Sequence, residues 1–174
     1  MKQTIGLIGK PNSGKSSLFN LLTGLNQKTG NYAGVTVESK SGKFGDTKIV
    51  DLPGLQSLRI TSPEEKIAKK KILELSESKT PLIFVSNGMQ LADHLILFSE
   101  VADLQTPMAL VINFKDEMAK NQISVQQREL ENLIGCPVLM VNSRNGEGLD
   151  ELRSVITKNQ FKICLLYTSD AADE

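Results

Sequence analysis

The chain is poor in everything that would make it a stapled or metal-held fold. It has two cysteines, Cys136 and Cys164, without paired spacing, and one histidine, His94. A disulfide framework and a Cys/His zinc site are therefore not expected. Neither sign of charge is in excess, with 20 Lys and Arg against 20 Asp and Glu. No basic field is available to hold nucleic acid as the main partner. No apolar run is long enough to span a bilayer, no secretory signal precedes the first apolar segment, and no internal repeat is present. A length of 174 residues suits one domain with a real core. The expectation is a globular α/β domain of a reducing, cytoplasmic compartment.

What is there begins at Gly9. Residues Gly9 to Ser16 read G-K-P-N-S-G-K-S, the pattern G-x-x-x-x-G-K-[ST]. It follows the apolar run Ile5-Gly6-Leu7-Ile8 and precedes a helix-like stretch from Ser17 to Leu22. That strand, loop and helix context is what a phosphate-binding loop needs. Gly9 and Gly14 let the backbone curl so that successive N–H groups, including those of Asn12, Ser13 and Ser17, point inward at phosphate oxygens. The helix N-terminus adds partial positive charge. Lys15 is placed to reach the β- and γ-phosphates, and the Ser16 hydroxyl to ligate Mg²⁺.

Farther along, apolar runs alternate with amphipathic stretches, which predicts a parallel sheet with helices on both faces. The first helix should run to about Thr23 and stop at Gly24. Asn26 to Gly34, rich in Gly and Asn, reads as a mobile loop. Val35 to Phe44 and Thr47 to Val50 read as an antiparallel hairpin at a sheet edge, turned by Gly45-Asp46. The second of these strands delivers Asp51-Leu52-Pro53-Gly54. Asp51 can hold Mg²⁺ directly or through water, and the Gly54 N–H can sense a γ-phosphate. Ser62-Pro63-Glu64-Glu65 is a helix start, and the helix should reach about Ser76. Leu82 to Val85 reads as a central strand and Leu91 to Leu104 as a long helix. His94 in that helix reads as an ordinary surface or packing residue, Lys69-Lys70-Lys71 as a solvated face, and Cys136 as a packed free thiol.

The strand Met108 to Ile112 ends in Asn113-Phe114-Lys115-Asp116. This N-x-x-D resembles the guanine-recognition motif of GTPases, in which the Asp carboxylate accepts hydrogens from N1 and the 2-amino group of guanine. Adenine has neither. Asn113 can tie this loop back to the phosphate loop. Phe114 stands where GTPases usually carry a Lys whose stem lies under the base. Asn142-Ser143-Arg144-Asn145-Gly146, after the strand Pro137 to Val141, resembles the S-A-K/R-x-G loop that supports the base, through Ser143 and Arg144. The closing helix runs from Gly148 to about Lys158. The whole is similar to a P-loop NTPase G domain, which implies a mostly parallel six-stranded sheet with one antiparallel edge strand and helices on both faces.

Five stretches narrow the family: G-K-P-N-S-G-K-S-S-L-F-N, G-N-Y-A-G-V-T-V-E, D-L-P-G-L-Q-S-L, S-P-E-E-K and N-F-K-D-E. Together they resemble the N-terminal G domain of the ferrous iron transport protein B family, over Met1 to Ile156. The resemblance implies GTP and GDP as ligands, with Mg²⁺ and K⁺. It gives Thr36 the role of the switch I threonine, on Mg²⁺ and the γ-phosphate, and Asn12 that of a K⁺ ligand. Lys15, Thr36, Gly54 and Asn12 would then form the hydrolytic set. Leu55 follows D-x-x-G where Ras-like proteins place a water-orienting Gln, so slow intrinsic hydrolysis is expected. Ser86-Asn87-Gly88 departs from the acidic V-D-A usual in the family. Two other readings stay open: a ribosome-assembly or tRNA-modification GTPase of the potassium type, and a nucleotide-binding module without hydrolysis.

The last eleven residues, Cys164 to Glu174, fit neither a cap nor a linker. They resemble a translation of a transposase adapter used in sequencing libraries. The expected organisation is a G domain over residues 1–163 and a non-native, disordered tail over 164–174. The resemblance implies that the intact gene continues into a helical domain and a multi-span membrane domain passing Fe²⁺. The G domain would then lie on the cytoplasmic face of the bacterial inner membrane, with no nucleic-acid partner.

Overall fold

A computed structural model describes residues 2–24, 27–34, 37–59 and 62–166. In chain order the elements are β1 (Thr4–Gly9), α1 (Lys15–Thr23), β2 (Gln27–Asn31), β3 (Glu38–Phe44), β4 (Thr47–Asp51), α2 (Pro63–Glu77), β5 (Leu82–Asn87), α3 (Leu91–Ala102), β6 (Pro107–Asn113), α4 (Lys115–Lys120), α5 (Gln127–Ile134), β7 (Val138–Met140), α6 (Leu149–Thr157) and β8 (Lys162–Ile163). The sheet order is β2-β3-β4-β1-β5-β6-β7, and β8 pairs antiparallel with the start of β6. Strands β4, β1, β5, β6 and β7 are parallel, while β2, β3 and β4 pair antiparallel.

The central strands read as continuous apolar runs because both of their faces are covered. Successive side chains alternate between two cores. Leu82 and Phe84 of β5, with Met108, Leu110 and Ile112 of β6, pack on the side of α2 and α3. Ile83, Val85, Ala109 and Val111 pack on the side of α1 and α6. Phe84 and Phe98 meet edge to face at 5.4 Å across the first core. Helix α2 starts on a full capping box: Ser62 Oγ accepts the Glu65 N–H at 3.2 Å, and Glu65 Oε2 accepts the Ser62 N–H at 2.8 Å. The two backbone N–H groups of Ser62 and Gln56, in that order, hold the Glu65 carboxyl below its usual range.

Three expectations are corrected. Among the described residues the sheet has eight strands rather than six, and β3 is not its edge. Gln27–Asn31, read as a mobile loop, is strand β2, in register with β3 from Gln27↔Gly42 to Asn31↔Glu38. Its sequence Q-K-T-G-N is polar and almost wholly exposed, so no alternation marks it. The unpaired backbone edge of β3 is what orders it. Last, the expected disorder of the tail does not extend to Cys164, Leu165 and Leu166. Cys164 is buried beside Cys136, and the Leu165 N–H donates to the Ile134 carbonyl at 2.9 Å. A Cys-Leu-Leu run is apolar enough to pack on the core wherever it originates. Residues 167–174 lie outside the described residues. The Cys136 thiol, packed as expected, is pushed up by its contact with Cys164 and then by burial.

Candidate nucleotide site

The site lies at the carboxyl ends of β1, β5 and β6, where the chain crosses from one side of β1 to the other. Its floor is the loop between β1 and α1. Gly14 has φ 82°, and a Cβ there would lie 2.0 Å from Asn113 Nδ2, so only glycine fits. Gly9 is equally constrained: a Cβ would lie 2.4 Å from the Val85 carbonyl oxygen. Asn12 adopts φ 65°, a left-handed turn that asparagine tolerates better than most residues. A cavity of about 380 Å³ opens here, lined by the loop from Lys10 to Ser17 and by Gly54. Ser16 and Ser17 are exposed at the first turn of α1, and Ser13 is buried with its hydroxyl unpaired among the described residues.

Lys15 and Asp51, 9% and 6% exposed, form an ion pair with each other. Strand β4 delivers Asp51, and the segment behind it docks on the phosphate loop: the Leu55 N–H donates to the Gly9 carbonyl at 3.1 Å. A Cβ on Gly54 would lie 3.1 Å from the Pro11 ring. The Leu55 side chain is buried in the core rather than turned toward the cavity. Thr36, the expected switch I threonine, lies outside the described residues.

Asn113 holds the other half of the site. It is fully buried, and both ends of its amide are used. Nδ2 donates to the Ser13 carbonyl at 3.1 Å and to Ser143 Oγ at 2.8 Å. Oδ1 accepts the N–H groups of Phe114 at 2.8 Å and Ser143 at 3.0 Å. The expected tie to the phosphate loop is thus present, and it includes the Ser143 loop. Asp116 Oδ1 is buried and has no hydrogen-bond partner among the described residues. Phe114, at φ 65°, reaches Gly14 with its ring, and the Arg144 guanidinium lies 5.7 Å over that ring. Arg144 also pairs with Glu117 at 2.9 Å.

Some partners escaped the sequence. Lys10, largely buried, pairs with Asp93 of α3 at 2.8 Å. Asn87 Nδ2 donates to the Asn12 carbonyl at 3.3 Å, and the Asn87 N–H donates to His94 Nδ1 at 3.3 Å. This gives Ser86-Asn87-Gly88 a physical account. Asparagine supplies a donor that an ionised carboxylate lacks. The Ser86 hydroxyl donates to the Val111 carbonyl at 2.8 Å, and a Cβ on Gly88 would lie 2.2 Å from Met118 Sδ. His94 is the packing residue expected, with burial and then the Lys10 charge holding its pKa below the ordinary value.

The model of the ferrous iron transport protein B family matches residues 3–156. The chain belongs to that family. The Fe(2+) transporter FeoB of Leptospira biflexa is 37% identical over 163 residues, 91% of this chain. This chain spans 24% of that transporter's length. The cytosolic domain of L. pneumophila FeoB is similar with a TM-score of 0.87 and 35% identity, over 98% of this chain and 76% of that one. A mutant of S. thermophilus NFeoB bound to mGDP gives a TM-score of 0.82 at 34% identity, over 88% of this chain and 60% of that one. The fold is accordingly that of FeoB G domains, a P-loop NTPase sheet with helices on both faces. Among the described residues no helix is long and apolar enough to cross a membrane.

Proposed function

We propose that the chain is a GTP-binding and GTP-hydrolysing regulatory domain of a ferrous iron transporter. The observation that carries this is the unpaired, buried carboxylate oxygen of Asp116, held by the Asn113 network within reach of a phosphate loop. A buried acceptor without a donor is costly, and the N1–H and 2-amino group of guanine would satisfy it. The likeness to an mGDP-bound FeoB domain supports the same reading. The loop N–H groups from Asn12 to Ser17 would cradle the phosphates, and Lys15 would leave Asp51 for the β- and γ-phosphate oxygens. Ser143 and Arg144 would support the base.

The residues also fit a hard cation. Ser16, Asp51 and Thr36 offer only oxygen, the donor that Mg²⁺ prefers, and Asn12 offers oxygen to K⁺. When bound, these cations would neutralise charge developing on the γ-phosphate. The Gly54 N–H would bond the γ-phosphate, and with Leu55 in the core no side chain there orients water, so turnover would be slow. We assign residues 1–163 to this domain and regard 164–174 as non-native. In the intact transporter it would act from the cytoplasmic face on helical and membrane domains that pass Fe²⁺. The balance of charge and the family match weigh against an RNA-linked GTPase.

The test is competition for labelled GDP, followed by phosphate release from GTP. GTP is expected to displace the label and ATP to fail, with hydrolysis requiring Mg²⁺ and rising in K⁺ but not Na⁺. Equal displacement by ATP would end the guanine reading, and equal turnover in K⁺ and Na⁺ would end the role of Asn12.

A further inference from the structure

Behind Gly54 the chain does not run free. Leu55 and Leu58 are buried, and between them Ser57 meets the carboxylate of Glu100 on α3. Ser57 Oγ lies 3.0 and 3.1 Å from the two Glu100 oxygens. The Leu58 N–H donates to Glu100 Oε2 at 2.6 Å, and Arg59 Nε stands 3.8 Å from Oε1. The Glu100 side chain is only 12% exposed. A carboxylate that sheltered, accepting a backbone N–H and a hydroxyl, makes stronger bonds than neutral acceptors do. Among the described residues, the hydrogen-bond and ion-pair partners of Glu100 are Ser57, Leu58 and Arg59, none of them in the phosphate loop.

Its position on α3 matters. Asp93 precedes it by seven residues, about two helical turns, so both carboxylates lie along one face of the helix. Asp93 holds Lys10 of the phosphate loop, and Glu100 holds the segment after Gly54. One helix therefore fixes both walls between which a γ-phosphate would sit. Two other ties hold the same segment: the Leu55 N–H on the Gly9 carbonyl, a neutral hydrogen bond, and the Gln56 N–H on Glu65 Oε1 of α2 at 2.7 Å.

We infer that Glu100 is a positioning residue for hydrolysis: through Ser57 and Leu58 it holds Gly54 against the phosphate loop, so that the γ-phosphate meets a preformed N–H. The inference rests on the proposed GTPase function. Diphosphate binding does not need Gly54 and should be indifferent to this contact.

The test uses the 174-residue chain as wild type, Glu100→Ala, Glu100→Gln and Ser57→Ala. Three quantities are measured: kcat for GTP, affinity for GDP, and hydrogen exchange at the Leu58 amide. Glu100→Ala is expected to lower kcat about tenfold while GDP affinity stays within about twofold. Glu100→Gln keeps one oxygen acceptor and should recover part of the loss, and Ser57→Ala should show a smaller loss of kcat alone. Leu58 exchange should accelerate in Glu100→Ala while amides in β1 and β5 keep their protection. Unchanged kcat, or kcat and GDP affinity falling together, would overturn the inference. If the wild type releases no phosphate, the GTPase reading fails instead, and unchanged Leu58 exchange then sinks the contact itself. Should Glu100→Ala not fold, Glu100→Gln and Ser57→Ala carry the same outcomes.

Discussion

The proposed phosphate end and the proposed base end of the site are prepared in opposite ways. At the phosphate end the charges satisfy one another, Lys15 with Asp51 and Lys10 with Asp93. A ligand arriving there must compete with a contact already made, and both members of the Lys15–Asp51 pair must find new partners. At the base end the framework is complete around Asn113, and Asp116 Oδ1, the group proposed to face the base, has no donor among the described residues. Exchange costs little selectivity and permits control by cations. A waiting acceptor gives selectivity, because the wrong base leaves it unpaired.

Breaking the base end should have the largest effect. Asp116→Asn is expected to weaken GDP binding by about 10⁴-fold, the scale on which sites built on hydrogen bonds reject a mismatched partner, and to favour xanthine nucleotides. Titration with labelled GDP and XDP measures both; retained preference for GDP would remove Asp116 from base recognition.

The phosphate end should give changes of both signs. Lys15→Ala should cut GDP affinity about 100-fold, since it removes a cation and strands a buried carboxylate. Asp51→Asn should do the reverse for GDP without Mg²⁺, raising affinity about threefold to tenfold, or roughly 1 kcal/mol, because Lys15 is released. A loss in both variants would mean that the pair is not in competition with the ligand.

Leu55→Ala sharpens the contrast between site and core. The side chain is 1% exposed, so truncation should cost about 2–5 kcal/mol of stability by urea unfolding. Turnover per folded molecule should stay near that of the wild type. A loss of kcat without loss of stability would place Leu55 in the chemistry.

The smallest effect concerns His94. Its folded pKa lies below the ordinary value of 6.5, through burial and then repulsion from Lys10, with Asp93 opposing. Below that ordinary value the unfolded chain takes up the proton first. Stability is therefore full above it and declines as pH falls toward the lowered folded value. The urea midpoint should drop between about pH 7.5 and about pH 5.5, and His94→Gln should flatten that part of the slope. An equal slope in both proteins would assign the acid sensitivity elsewhere.

Much of this was legible because local chemistry and fold agree. Burial on both faces wrote the parallel strands as apolar runs, and Ser62-Pro63-Glu64-Glu65 wrote the start of α2. The phosphate loop and N-x-x-D were readable since each needs fixed residue types at fixed spacing. Strand β2 was not, because its order comes from the edge of β3 and not from its own polar residues. Nor were the Asn87–Asn12 and Glu100–Leu58 contacts, which join positions 75 and 42 residues apart with no local signature. The burial of Cys164 depends on a surface made by α5 and β6, which its own sequence does not announce.

The Asn113 clasp makes the pocket a ruler. One side chain joins Ser13 in the phosphate loop to the Ser143 loop and the turn into Asp116, so the span between the proposed base and phosphate positions is set before any ligand arrives. A nucleotide whose two ends match that span binds its second end at high effective concentration, without the entropy of bringing the halves together. Guanosine and pyrophosphate supplied separately present the same chemical groups and forgo that gain. Their combined occupancy should fall far short of that of GDP, and the shortfall should shrink in Asn113→Ala, where the two ends of the pocket no longer share a fixed length.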